Sequence, residues 1–89
     1  MVLDNEIKDA VEKNMELMLN QTKAYLPFIR VAFPSAKDLP ELCFNLMVGN
    51  ALSTFITQFS FRMKSPNEND FAAFGTIVES YRKKVKALF

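Results

Sequence analysis

The twenty residues from Leu42 to Phe61 contain no charged side chain. As a helix that rises about 1.5 Å per residue, such a segment is long enough to span a small domain or a membrane. Eight of its twenty positions are polar or glycine, however, which is too many for a lone helix that faces lipid. The segment therefore predicts the largely buried central helix of a small all-α domain that has no contact with a membrane.

Apolar residues recur every three or four positions in two further segments, one on each side of this central segment. In the first segment, which starts after Asp4, these residues are Ile7, Val11, Met15, Met18, Thr22 and Tyr25. In the second segment, which starts after Asp70, they are Phe71, Phe74, Ile77, Val78, Tyr81, Val85 and Leu88. Each pattern predicts an amphipathic helix, with Asp4 and Asp70 as the N-caps.

Prolines set the expected ends of the helices, because proline cannot donate a backbone hydrogen bond. Pro27 predicts a kink or break after residue 26, and residues 28–33 then fit a short helix. Pro40 is typical of a first helical turn, and Pro66 follows the expected end of the central helix. The sequence predicts one domain over residues 1–89, an antiparallel bundle of three main helices (4–26, 40–64 and 70–88) plus the segment 28–33.

The composition argues against most kinds of active site. The chain has no histidine, which excludes Ser-His and Cys-His catalytic pairs and every metal site that needs histidine. Gly49 and Gly75 are its only glycines, too few for a phosphate-binding or dinucleotide-binding loop. Glu12 and Glu16 are expected on a solvated helix face. We therefore predict that the protein is not an enzyme and uses no metal or other cofactor.

Charge and cysteine content bear on the compartment and on the partners. The formal net charge is +1, which names no partner by itself. Cys43 is the only cysteine, so no disulfide framework exists within the chain, and we expect a buried structural thiol. The stretch from Met1 to Glu6 lacks the cationic and apolar regions of a secretion signal. These features together predict a cytoplasmic protein.

Helical geometry places most of the bulk of the central helix in one arc, which predicts its core-facing side. The residues of this arc are Ala51, Phe44, Phe55, Val48, Phe59, Leu52 and Ile56. Small residues form a stripe on another side, where Gly49, Ser53 and Thr57 are spaced four apart. Small side chains allow two helices to approach closely, so we expect another helix against this stripe. The two flanking helices have one apolar face each and cover only part of the central helix. We predict a two-fold homodimer whose interface includes the stripe together with Phe28 and Phe33. The alternative is a monomer in which the segment 28–33 completes the core.

Three functions follow from these expectations. The first is a protein–protein interaction or regulatory module that self-associates through apolar helix faces and also presents an acidic face to an unidentified protein. The alternative is a nucleic-acid-associated dimer that uses a basic patch, unless that patch is only a solvated face near Glu79. The patch comprises Arg82, Lys83, Lys84 and Lys86. The third is a carrier with an apolar cavity lined by Met47, Phe55 and Phe74.

Overall fold

The computed structural model describes residues 3–89. Residues 1 and 2 of the stretch that was predicted not to be a secretion signal lie outside the described residues. Four helices follow in order: α1 (Asn5–Ala32), α2 (Leu39–Phe61), α3 (Glu68–Glu79) and α4 (Arg82–Lys86). The helices pack against one another, and residues 3–89 contain no strand. The predicted small all-α bundle is confirmed.

A kink divides the first helix close to Pro27, as the sequence predicts. Helix α1 runs for 28 residues to Ala32, and Tyr25 inside it has non-helical backbone angles (φ −107°, ψ 15°). Pro27 cannot donate to the carbonyl of Lys23, and its ring crowds that carbonyl, so the distortion falls in this turn. The predicted short segment 28–33 corresponds to the part of α1 beyond the kink, which ends one residue earlier, at Ala32.

Side-chain caps fix the starts of the first two helices. The Asp4 carboxylate accepts a 2.9 Å hydrogen bond from the backbone N–H of Glu6, which confirms the predicted cap of α1. The Asp38 carboxylate accepts from the N–H of Glu41 at 3.1 Å, and Pro40 lies in the first turn as expected. These bonds satisfy N–H groups that have no partner within the helix.

The third helix begins earlier than predicted, because Asn67 and not Asp70 is its N-cap. The Asp70 N–H donates to Asn67 Oδ1 and the Asn67 N–H donates to Asp70 Oδ2, both at 2.9 Å. This reciprocal pair is a capping box, in which the acidic residue occupies the third helical position. The central helix ends at Phe61, before the predicted residue 64, and Met63 beyond it has a left-handed backbone (φ 54°).

The predicted helix 70–88 is in fact two helices joined by a tight turn at Ser80 and Tyr81. The N–H groups of these two residues donate to the carbonyls of Ile77 and Val78, three residues back, at 3.2 and 3.0 Å. The Ser80 hydroxyl also donates to the Ile77 carbonyl at 2.6 Å. Bonds of this spacing tighten the backbone and redirect it. As a result α4 packs against α2, while α3 contacts both α1 and α2.

The core lies between α1 and α2 and is closed on one side by α3 and α4. Its buried apolar residues are Leu3, Ile7, Val11, Met15, Cys43, Phe44, Met47, Ala51, Phe55, Phe59, Phe74, Val78, Tyr81 and Val85. Three rings surround fully buried Phe55, with centroids 5.2 Å (Phe59), 5.3 Å (Phe71) and 4.7 Å (Phe74) away. Of the three residues in the carrier hypothesis, Phe55 and Phe74 pack against each other in the core, whereas Met47 lines a cleft with other residues.

Helix α2 is buried along one face only, which is less than the predicted largely buried helix. Its buried residues are Cys43, Phe44, Met47, Ala51, Phe55 and Phe59, whereas Ile56, expected among them, is exposed. Among the described helices, α2 is the one that is long enough and apolar enough to cross a membrane, judged by length and composition only. In its most apolar stretch of 18 residues, 28% is buried. Its other side remains open because α3 and α4 cover a single side of the α1–α2 pair.

Candidate protein-interaction face

The exposed side of α2 carries no charge from Leu42 to Phe61. The sequence places no charged residue between Leu42 and Phe61, so every solvent-facing position in that span is neutral. We define the α2 strip as the exposed residues Asn45, Leu46, Gly49, Asn50, Ser53, Ile56, Thr57 and Ser60. They fall within an arc of about 140° when a helix turns about 100° per residue. The exposed side of a surface helix ordinarily carries charged residues, so this strip is unusual.

A second neutral strip runs along the exposed side of α1. We define the α1 strip as Leu17, Gln21, Ala24, Phe28 and Val31, all of which are exposed and spaced three or four apart. Charged residues in the same stretch recur every seven positions, at Glu16, Lys23 and Arg30, and so share a different side of the helix. The α1 strip is therefore both neutral and largely apolar.

The two strips meet along the contact between α1 and α2. Asn14 Nδ2 donates a 2.8 Å hydrogen bond to Asn50 Oδ1, which joins the α2 strip to α1 just before the α1 strip begins. Farther along, Gln21 of the α1 strip and Leu46 of the α2 strip line one cleft. We call the continuous surface formed by the two strips the charge-free face. It lies on the side of the α1–α2 pair that α3 and α4 leave open.

An apolar cleft of about 230 Å³ opens on this face between the second half of α1 and the start of α2. Its lining residues are Met18, Gln21, Thr22, Tyr25, Ile29, Phe33, Cys43, Leu46 and Met47. The Thr22 hydroxyl donates to the Met18 carbonyl at 2.8 Å and so already has a partner. Burial raises the pKa of the Cys43 thiol, which favours the neutral thiol in the cleft. The chemistry of this lining suits an apolar group.

The five residues predicted for a dimer interface lie on or beside the charge-free face. Gly49, Ser53 and Thr57 are in the α2 strip, Phe28 is in the α1 strip, and Phe33 lines the cleft. Among residues 3–89, no helix makes the expected close contact with this stripe at Gly49, since a Cβ atom built there would meet nothing within 4 Å.

Sequence reasoning missed most of the α1 strip and the cleft. Leu17, Gln21 and Leu46 were not singled out, because an exposed position in an amphipathic pattern is usually only a solvated one. One signal was available in the spacing of Glu16, Lys23 and Arg30, which leaves the other exposed positions of that stretch neutral. The side that remains open follows only from where α3 and α4 pack.

The structure divides the predicted basic patch. Arg82 forms ion pairs with Glu79 at 2.8 Å and Glu41 at 2.5 Å, and its guanidinium lies 4.2 Å from the ring centroid of Phe44. The hydrogen bond from Arg82 lowers the pKa of the Glu79 carboxyl. Lys84 lies 3.5 Å from an acidic oxygen of Glu16. Arg82 and Lys84 are thus paired with acidic residues of the same chain. The other two predicted cations, Lys83 and Lys86, are exposed.

Tyr81 provides a pH prediction. Burial, aided by the negative charges of Glu16 and Glu12, raises its pKa to about 12. In the unfolded chain the Tyr81 phenol ionises with a pKa of about 10, and in the folded chain it ionises only at higher pH. The contribution of Tyr81 to the free energy of unfolding should therefore be complete below pH 10 and fall as pH rises toward 12. Tyr25→Phe leaves Tyr81 as the sole tyrosine, and its tyrosinate absorbance can then be titrated alongside circular dichroism. Half-ionisation at about pH 10 in the folded protein would contradict the prediction.

Among residues 3–89, no three cysteine or carboxylate side chains lie together in a way that could hold a metal ion. Comparison with protein families, curated proteins and solved structures gives no match to a family model and no similar protein or structure. The charge-free face and its cleft therefore carry the functional argument.

Proposed function

We propose that the protein is a non-enzymatic interaction module that self-associates, with the charge-free face of one copy packed against the same face of a second copy. The observation that carries the proposal is the neutrality of this face, which joins exposed apolar residues of the α1 strip to small and polar residues of the α2 strip. A contiguous exposed surface of this kind marks an interaction site more often than a solvated surface.

Charge distribution favours a second copy over a different protein. In a two-fold contact, residues near the symmetry axis meet their own copies, so any charge there would face a like charge. Within the charge-free face this repulsion is avoided, while Lys13, four residues before Leu17 on the same side of α1, lies at its edge. A partner recognised by charge complementarity would need charged residues on the face.

A stable interface takes roughly 800 Å² from each partner, and the molecule measures 41 × 21 × 20 Å, so the proposed dimer would bury most of one broad side. Small residues at Gly49 and Ser53 would let the facing helices approach closely. Polar side chains such as Asn50 and Thr57 suit a protein surface better than lipid, because they can exchange hydrogen bonds with a second chain.

Sedimentation equilibrium of the full chain tests the proposal from low micromolar to near-millimolar concentration. The mass should rise from 10.2 kDa for a monomer toward twice that value. A native helical spectrum with a monomer mass throughout would overturn the proposal. Flotation with neutral phosphatidylcholine vesicles is the companion measurement, since a monomer that floats with the vesicles would assign the face to lipid and likewise overturn self-association.

A further inference from the structure

An exposed aromatic ring stands beside the apolar cleft. Phe28 is 69% exposed, and its ring centroid lies 6.3 Å from that of Tyr25, which lines the cleft. Tyr25 is also the residue at which α1 is kinked. A large exposed apolar side chain and an open apolar cleft thus lie next to each other on the charge-free face, and within one protomer the ring remains outside the cleft.

The volume of the cleft identifies the kind of group that it accepts. At about 230 Å³ it is smaller than the pockets of about 300–1,000 Å³ that hold drug-sized ligands. It is larger than an apolar cavity of about 150 Å³ that is known to accept benzene. A cleft of this volume therefore has the size to hold a single aromatic side chain. The sulfur atoms of Met18, Cys43 and Met47 in the lining also suit an aromatic ring, since sulfur–aromatic contacts are favourable.

We infer that Phe28 of each protomer enters the cleft of its partner, so that the dimer is held by two identical ring-in-cleft contacts. The inference rests on the proposed self-association and names the residue that anchors it. Two-fold symmetry makes the exchange reciprocal. If Phe28 of one protomer enters the cleft of its partner, then the partner's Phe28 enters the cleft of the first protomer. Aromatic residues that fill desolvated pockets are the usual energetic anchors of protein interfaces.

The first test compares Phe28→Ala with Phe61→Ala by sedimentation. Phe61 is a matched control, because it is 75% exposed and lies at the end of α2 that is far from the cleft. That end is beside the start of α1, as the 2.7 Å ion pair of Arg62 with Glu6 shows. Phe28→Ala should raise the dimer dissociation constant at least about 100-fold, since each dimer loses two anchors. Phe61→Ala should change it much less.

The second test uses a thiol at position 46 as a reporter, because Leu46 lines the cleft and is 50% exposed, whereas Cys43 is buried. Leu46→Cys is made together with Cys43→Ala, so that the new thiol is the only one in the chain. Its rate of alkylation by N-ethylmaleimide at fixed pH should fall as protein concentration rises and the partner's ring covers it. The same protection is expected for Phe61→Ala and should be lost in Phe28→Ala.

The two tests separate this inference from the proposal beneath it. A dimer in which the thiol at position 46 gains no protection, or whose affinity survives Phe28→Ala, would overturn the ring-in-cleft contact and leave self-association standing. A wild-type monomer at every concentration would overturn both. Circular dichroism confirms that each variant is folded, which is expected because both rings are exposed.

Discussion

Replacing Phe55 by alanine is expected to lower the free energy of unfolding by about 3–5 kcal/mol, the usual cost of removing a fully buried phenylalanine ring. The ring has contacts on three sides, with Phe59, Phe71 and Phe74, and it lies where α2 and α3 meet. Domains are stable by only about 5–15 kcal/mol in total, and small domains bury the smallest share of their surface. The variant should therefore lose a large part of its stability.

Urea denaturation followed by circular dichroism measures this effect as a fall in the midpoint. The matched control is Phe61→Ala on the same helix, which removes an exposed ring and should change stability by no more than about 0.5 kcal/mol. Equal midpoints for the two variants would contradict the central position of the aromatic cluster. Both should be compared at one protein concentration, because dimer formation also stabilises the folded state.

Much of this core could be predicted from the sequence, because helical periodicity reports directly on which side of a helix is buried. Phe44, Ala51, Phe55 and Phe59 were placed in one arc of the central helix, and all four are buried. On the first helix, Ile7, Val11, Met15 and Thr22 were assigned to the inner face, and these are also buried. The pattern succeeds where several bulky residues repeat at the helical period.

Predictions failed where two local effects compete within a single turn. Pro27 was expected to kink or break the first helix, and the kink is the outcome because Ile29 beyond it packs on the core. Asp70 is a good cap in isolation, yet Asn67 three residues earlier offers a cap and lets Asp70 bond back to it. Such choices depend on energies of about 1 kcal/mol, which spacing alone does not resolve.

The charge-free face could be predicted only in part, for a different physical reason. Small residues along α2 are visible in the sequence, but the exposed side of α1 becomes significant only once α3 and α4 are seen to leave it open. For the basic patch, in contrast, the sequence indicates more free charge than the fold leaves. Glu41 is distant in sequence from Arg82 but forms a 2.5 Å ion pair with it, so a run of cations cannot be read as a free surface until the fold is known.

Thr57→Lys is expected to weaken the proposed dimer strongly. Thr57 is an exposed member of the α2 strip, and Thr57→Lys would place a charge in the otherwise neutral face. In a two-fold contact each dimer receives two such charges, and each must lose water or stay unpaired against an apolar surface. We expect the dissociation constant to rise at least about 100-fold, given that truncation of one buried anchor alone can cost 2 kcal/mol or more.

Thr76→Lys is the matched control, because Thr76 is likewise an exposed threonine within a helix but lies on α3, outside the charge-free face. Lysine has a higher helix propensity than threonine, so neither variant should lose helical structure, and the net charge changes equally in both. The mass of Thr76→Lys should follow that of the wild type as concentration rises. If Thr57→Lys dimerises as tightly as Thr76→Lys, the charge-free face is not the contact surface. A difference confined to Thr57→Lys would instead locate the contact on α2, since general charge repulsion would weaken both variants alike.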